Sequence, residues 1–287
     1  MRPFIISTDT TADLPAEFAA EHGISIHPLH YLIDDKEYGM EMGELSPHDF
    51  YQTMRDGKMP TTNATNLGYD IKLMEELVQE GNDILHISFS SQMSTSYNNA
   101  RLAAEEVMGR HPECRILVYD SKNATCGLSA LIRTLVKKKE SGCTLDEAAK
   151  WLEETLPRAV CYFTLPDLFH MWRGGRLKKS SAVLGTALKI QPVLHINDIG
   201  ALEPIKKVRG RAAAVKGLYT DLAEQCAAGK KPEIVCITHG DCPEEAEALA
   251  KVVKETLGIS EVYISYLSPT LGSHSGPSTL TLGYISQ

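Results

Sequence analysis

The chain alternates short apolar runs with longer amphipathic stretches, a spacing that predicts strands and helices in turn. Phe4–Ser7 reads as a strand and Pro15–His22 as a helix. Ser46-Pro47-His48-Asp49 supplies a cap, a first-turn proline and a following acid, which opens a helix to about Asp56. Further helices are predicted over 67–80, 94–110 and 128–139, and strands over 83–88 and 114–120. Thr144-Leu145-Asp146-Glu147 is a capping box that starts another helix. This alternation argues for a parallel sheet with helices on both faces.

The pattern changes near Leu156-Pro157. Residues 159–164 and 192–196 read as strands. Asn197-Asp198-Ile199-Gly200 then turns the chain into 201–207, a hairpin rather than a crossover. Helices over 210–228 and 243–257, strands over 233–238 and 261–266, and a last apolar segment follow. The prediction is an N-terminal α/β/α domain on a parallel sheet, residues 1–157, and a C-terminal α+β domain with a mixed or antiparallel sheet, residues 158–287.

Composition narrows the function. With 287 residues, 43% of them hydrophobic and 23% charged, the chain is that of a soluble globular protein. A net charge of −8 argues against a nucleic-acid partner, which needs a basic stripe. No apolar run approaches the roughly 20 residues that cross a bilayer, and the first residues lack the pattern of a signal peptide. The seven cysteines are scattered without a C-x-x-C pair, as expected of reduced thiols in a cytoplasmic protein.

Ser90-Ser91-Gln92-Met93-Ser94-Thr95-Ser96-Tyr97-Asn98-Asn99-Ala100 carries the strongest chemical signal. These hydroxyls and amides follow the strand Ile84–Ile87 and precede a helix. That is where an open α/β sheet places its ligand crevice, and where a helix amino end favours an anion. Such a site holds an anion with hydroxyls and amides, without a buried lysine or arginine. Pro60-Thr61-Thr62-Asn63 is a second hydroxyl-rich loop and a candidate for the opposite wall. Phe169-His170-Met171-Trp172-Arg173-Gly174-Gly175-Arg176 reads as a tight glycine turn that exposes Arg173 and Arg176. Asp9 and Asp13 have the wrong spacing for a D-x-D-x-T phosphatase and read as caps. His274 lies between two serines, but no nucleophile elbow accompanies it. His239 and Asp241 are too few to make a metal site.

In order along the chain, these segments resemble the DegV family of bacterial fatty-acid-binding proteins. Asp9-Thr10-Thr11-Ala12-Asp13-Leu14-Pro15 is similar to the family's D-S-T-x-D-L-P, and Pro60-Thr61-Thr62-Asn63 to its P-T-T-S-Q-P-S. Ser90 to Ala100 resembles S-S-x-L-S-G-T-Y-x-S-A, and Asp120-Ser121 matches a D-S at a strand end. Arg173 to Leu177 and Gly185 to Leu194 resemble G-G-R-I and L-G-x-L-x-I-K-P-I-L. Gly272 to Tyr284 resembles G-x-H-x-G-P-G-T-x-G-L-G-Y. Departures are Asn63, Ala64 and Thr65 for Ser-Gln-Pro, Thr95 for glycine, and Ser278 and Thr281 for glycines.

The resemblance implies a long-chain fatty acid held in a tunnel between the two domains. It implies a protein without its own turnover or cofactor, serving as the lipid-carrying subunit of a fatty-acid kinase whose ATP-dependent partner is a separate chain. Carried over by position, Thr62, Ser94 and His274 hold the carboxylate, with Thr61 and Thr95 beside them. Arg173 and Arg176 fall on the surface of partner contact. A transient contact with a membrane surface is compatible with this role. The competing expectation is a small-molecule hydrolase or phosphotransferase that gathers Asp9, Asp13 and His274 around one crevice.

Overall fold

The computed structural model describes residues 2–39, 44–166, 168–177 and 190–287. The first sheet is built from β1 (Phe4–Asp9), β2 (Ser25–His27), β6 (Asp83–Ser88) and β7 (Ile116–Asp120), in the order β2-β1-β6-β7, every pair parallel. Three short strands, β3 (Tyr31–Ile33), β4 (Lys36–Tyr38) and β5 (Thr61–Thr62), form a small antiparallel sheet in the order β4-β3-β5. The helices of this half are α1 (Ala16–Glu21), α2 (Pro47–Arg55), α3 (Leu67–Gln79), α4 (Ser96–Arg110), α5 (Thr125–Glu140) and α6 (Leu145–Thr155). Ser46 caps α2 by accepting the Asp49 N–H, and Asn66 caps α3 by accepting that of Tyr69. The capping box on α6 is complete. Orphan N–H groups are thus met where the sequence placed Ser, Asn and Thr.

The second sheet contains β8 (Ala159–Thr164), β9 (Ile190–Ile196), β10 (Leu202–Arg209), β11 (Ile234–His239), β12 (Glu261–Tyr266) and β13 (Leu280–Ile285). Its order is β10-β9-β8-β13-β11-β12, antiparallel throughout except for β11 and β12. Between strands run α7 (Phe169–Arg173), α8 (Arg211–Leu218), α9 (Thr220–Ala227), α10 (Pro243–Lys251) and α11 (Pro269–Ser275). The expected parallel first sheet and mixed second sheet are both present, as is the β9–β10 hairpin. The single helix expected over 210–228 is broken at Tyr219. Of the family-like segment 185–194, residues 185–189 lie outside the described residues.

Helix α5 joins the two halves. Leu128, Leu131 and Leu135 pack into the core beneath the first sheet, while Cys126 and Ala130 belong to the core of the second. Its first turn lies against β13, where a side chain on Gly283 would meet the Cys126 carbonyl carbon at 2.5 Å. Only glycine permits that approach.

Candidate functional site

Between the two sheets lies a cavity with about 690 Å³ of space free of protein atoms, open solvent at its mouth included. Its apolar wall includes Phe89, Met93, Phe163, Ile196 and Leu271. Thr62, Ser94 and His274 line it together. Thr62 Oγ1 and His274 Nε2 are 2.7 Å apart, a bond from β5 to α11. Ser94 precedes α4, and its hydroxyl lies 2.8 Å from that of Ser96.

The loop holding Thr62 is tied to α4 by its own backbone. Thr65 N–H donates to Ser96 Oγ at 3.2 Å, and Asn99 Nδ2 donates to the Thr65 carbonyl at 2.7 Å. Other hydroxyls of the same run brace the scaffold: Ser90 bonds the Gly200 carbonyl at 2.8 Å and Ser91 the Asp120 carboxylate at 2.6 Å. The Ser94 and Ser96 amides are spent on Ser90 O and Ser94 Oγ.

Burial, with Arg176, Arg173 and His170 nearby, pushes the His274 imidazole down to about 3, so the ring is neutral at physiological pH. Its Nδ1 is buried without a hydrogen-bond partner and faces Gly174. A Cβ on Gly174 would stand 2.0 Å from that nitrogen. The glycine pair is therefore more than a turn, because its first member makes room for the imidazole.

Two expectations are corrected here. Arg173 and Arg176 are half-buried rather than displayed. Arg173 Nη2 donates to the Pro60 carbonyl at 2.7 Å and the Ser273 carbonyl at 3.2 Å. Arg176 donates from Nε to Met93 O at 3.0 Å and from Nη1 to Gly174 O at 2.6 Å, and it lines the cavity. The polar corner thus does have arginines beside it. Thr61 and Thr95 are exposed and stand outside the lining. Alternation along β5 turns Thr61 away from Thr62, and Thr95 stands at the N-cap of α4.

Asp9 and Asp13 do not join His274. They line a separate, larger recess on the far side of Leu29 and Thr270, which border both spaces. Asp9 accepts the amides of Thr11 and Phe89 and so fixes the loop after β1. Asp13, at φ 52°, accepts the Ser268 N–H at 2.9 Å. Burial pushes its carboxyl up to about 7, against the bond from Ser268 and the nearby Thr125 hydroxyl. Asp241 pairs with Arg55 and His48.

The sequence model of a family described as uncharacterised protein, DegV family, matches residues 3–287. A DegV domain-containing protein of Clostridium perfringens is 34% identical over 286 residues, covering 99% of this chain and 98% of the relative. Among solved structures, DegV of Bacillus subtilis, a fatty acid binding protein, is 26% identical with a TM-score of 0.88 over 100% of both chains. A structure of fatty acid binding by a DegV family protein from Thermus thermophilus is 25% identical, with a TM-score of 0.88 over 100% of both chains. Among the described residues no helix is long and apolar enough to cross a membrane.

Proposed function

This chain belongs to the DegV family, and from that premise we propose that it binds a long-chain fatty acid in the cavity between its halves. Those halves are taken as domains of residues 1–157 and 158–287. The observation that carries the reading is the convergence of Thr62, Ser94 and His274 on an otherwise apolar cavity. The acyl chain lies along Phe89, Phe163 and Ile196 and contributes about 0.8 kcal/mol per buried methylene. The carboxylate accepts hydrogen bonds from the hydroxyls. A neutral His274 with its proton on Nε2 donates to Thr62 Oγ1, which leaves the Thr62 hydroxyl hydrogen free for the anion. Arg176 and Arg173 add positive charge to that corner. Bonds to a charged group are worth about 1.5–3 kcal/mol each.

The chain acts as a carrier without turnover of its own and offers the carboxylate to a separate ATP-dependent kinase. The turn at 173–176, beside the head group, is the contact surface in this reading. Its support is the position of both arginines at the polar corner and the exposure of Phe169 and Trp172 next to them. Denaturing extraction of the purified protein, followed by mass spectrometry, tests the lipid reading. One equivalent of a long-chain fatty acid is expected. An empty extract from protein that also takes up no added oleic acid would refute it.

A further inference from the structure

Two of the seven cysteines meet in the wall of this cavity. Cys126, in the first turn of α5, and Cys161, in β8, hold their sulfurs 3.4 Å apart. They are 0% and 1% exposed, yet Cys161 lines the cavity. The pair is therefore closed to bulk water and open to whatever fills the cavity. Burial, and then Cys161 itself, push the Cys126 thiol well above its usual range, so it is held as a thiol.

A file of hydroxyls leads away from the sulfurs. Thr281 adjoins Cys126; its Oγ1 lies 2.7 Å from that of Thr238, which lies 2.6 Å from that of Thr125. Thr125 stands near the Asp13 carboxyl, which burial pushes up to about 7.

We propose that Cys126 and Cys161 form a dithiol that reduces a hydroperoxide carried on an acyl chain in the cavity. The inference rests on the fatty-acid reading and extends it to oxidised acyl chains. Cys161 sulfur attacks the outer oxygen of R–O–OH and the O–O bond breaks. The alcohol R–OH leaves with the thiol proton, and Cys161 becomes a sulfenic acid. Cys126 sulfur then attacks Cys161 sulfur, an S–S bond forms, and hydroxide departs as water with the Cys126 proton. The two electrons come from the two thiols, and the net change is one hydroperoxide and one dithiol to one alcohol, one disulfide and one water. Closing the sulfurs to about 2.05 Å is a short move between elements already in contact. A neutral thiol reacts slowly with dilute peroxide, and confinement beside the peroxide offsets this through a high effective concentration.

The test loads the full-length protein with linoleic acid or with linoleic acid hydroperoxide. It reads retained lipid by extraction and free thiols by N-ethylmaleimide labelling after denaturation. Linoleic acid is expected to be retained with every cysteine free. The hydroperoxide is expected to be recovered as hydroxy acid, one equivalent per chain, with two fewer labelled cysteines. Cys126→Ser is expected to stop at the sulfenic acid on Cys161, and Cys161→Ala to return the hydroperoxide unchanged. Hydrogen peroxide at equal concentration is expected to leave the pair reduced over the same time. Hydroperoxide retained and recovered intact beside two free thiols overturns the proposal while the carrier reading stands. Equal oxidation by hydrogen peroxide overturns supply from the cavity, and failure to retain either lipid overturns the carrier reading and this one together.

Discussion

Replacing Gly174 by alanine is the sharpest probe of the head-group corner, because its effect follows from contacts on both sides of one ring. The new methyl carbon would sit 2.0 Å from His274 Nδ1 and 2.8 Å from Cε1, where ordinary contact begins at 3.4 Å. The imidazole cannot simply retreat, since its other nitrogen already lies 2.7 Å from Thr62 Oγ1. It must rotate out of the site, or the turn must move away from α11. Overpacking of this kind costs about 1–3 kcal/mol of stability. Loss of one hydrogen bond serving a charged group, about 1.5–3 kcal/mol, predicts a Kd for oleic acid raised roughly 10- to 100-fold. Gly175→Ala is the matched control. Its Cβ meets nothing within 4 Å, and only the left-handed backbone at φ +75° is strained, at about 1–2 kcal/mol. The control is expected to lower Tm while leaving Kd within twofold. Competition against a fluorescent fatty acid, with thermal melts of the same samples, reads both quantities. Equal affinity of Gly174→Ala and the native protein would refute the reasoning.

Three further outcomes are expected. Thr62→Ala combined with Ser94→Ala should weaken fatty-acid binding by at least tenfold, from bonds worth about 1.5–3 kcal/mol each, with Tm near that of the parent; unchanged affinity removes the head-group assignment. Ser278 stands at φ 61°, where the family pattern has glycine; Ser278→Gly should raise stability by about 0.5–1 kcal/mol, the relief of left-handed strain less the entropy of glycine, measured by urea denaturation. Asp13, raised from an ordinary 3.8 to about 7, holds its proton longer in the folded than in the unfolded chain. Its contribution is present in full below pH 3.8 and is lost as pH rises through about 7. Relative to Asp13→Asn, the native protein should therefore gain stability between pH 8 and pH 5, by at most about 1.4 kcal/mol per pH unit. A difference between the two that does not vary with pH contradicts this.

Much of the fold was legible because its helices announce their starts. Ser46-Pro47, Asn66 and Thr144 each cap where the residue type demands, and short apolar runs mark the parallel strands. Helix α11 carries the same Ser-Pro signal at Ser268-Pro269, but glycine and serines behind it gave no apolar face to extend. Strand β5 is two residues long, too short for any period, so Thr62 was visible only as part of a loop. The helix break at Tyr219 accompanies tertiary packing, where Gly217 lets α8 settle on Val193. Of the site, residue type pointed to the two hydroxyl-rich loops, and the resemblance to the DegV family singled out Thr62, Ser94 and His274. The inward fold of Arg176 could not be read, because an arginine beside a glycine pair looks the same whether its stem lies on protein or in water. Asp9, Asp13 and His274 share a residue chemistry suited to catalysis, and only tertiary structure assigns them to different spaces.

The central position of β13 has a consequence for how the molecule is made. Its two neighbours in the sheet, β8 and β11, both come earlier in the chain. Until residues 280–285 have left the ribosome, these strands face an open gap and their edge groups lack partners. The early half, with its parallel sheet of shorter reach, can order while the rest is being synthesised. Thr281, on the cavity wall, arrives with the closing strand itself. In the proposed reading, lipid loading therefore waits for β13, and a nascent chain stalled short of this strand would expose its apolar lining to chaperones rather than to ligand.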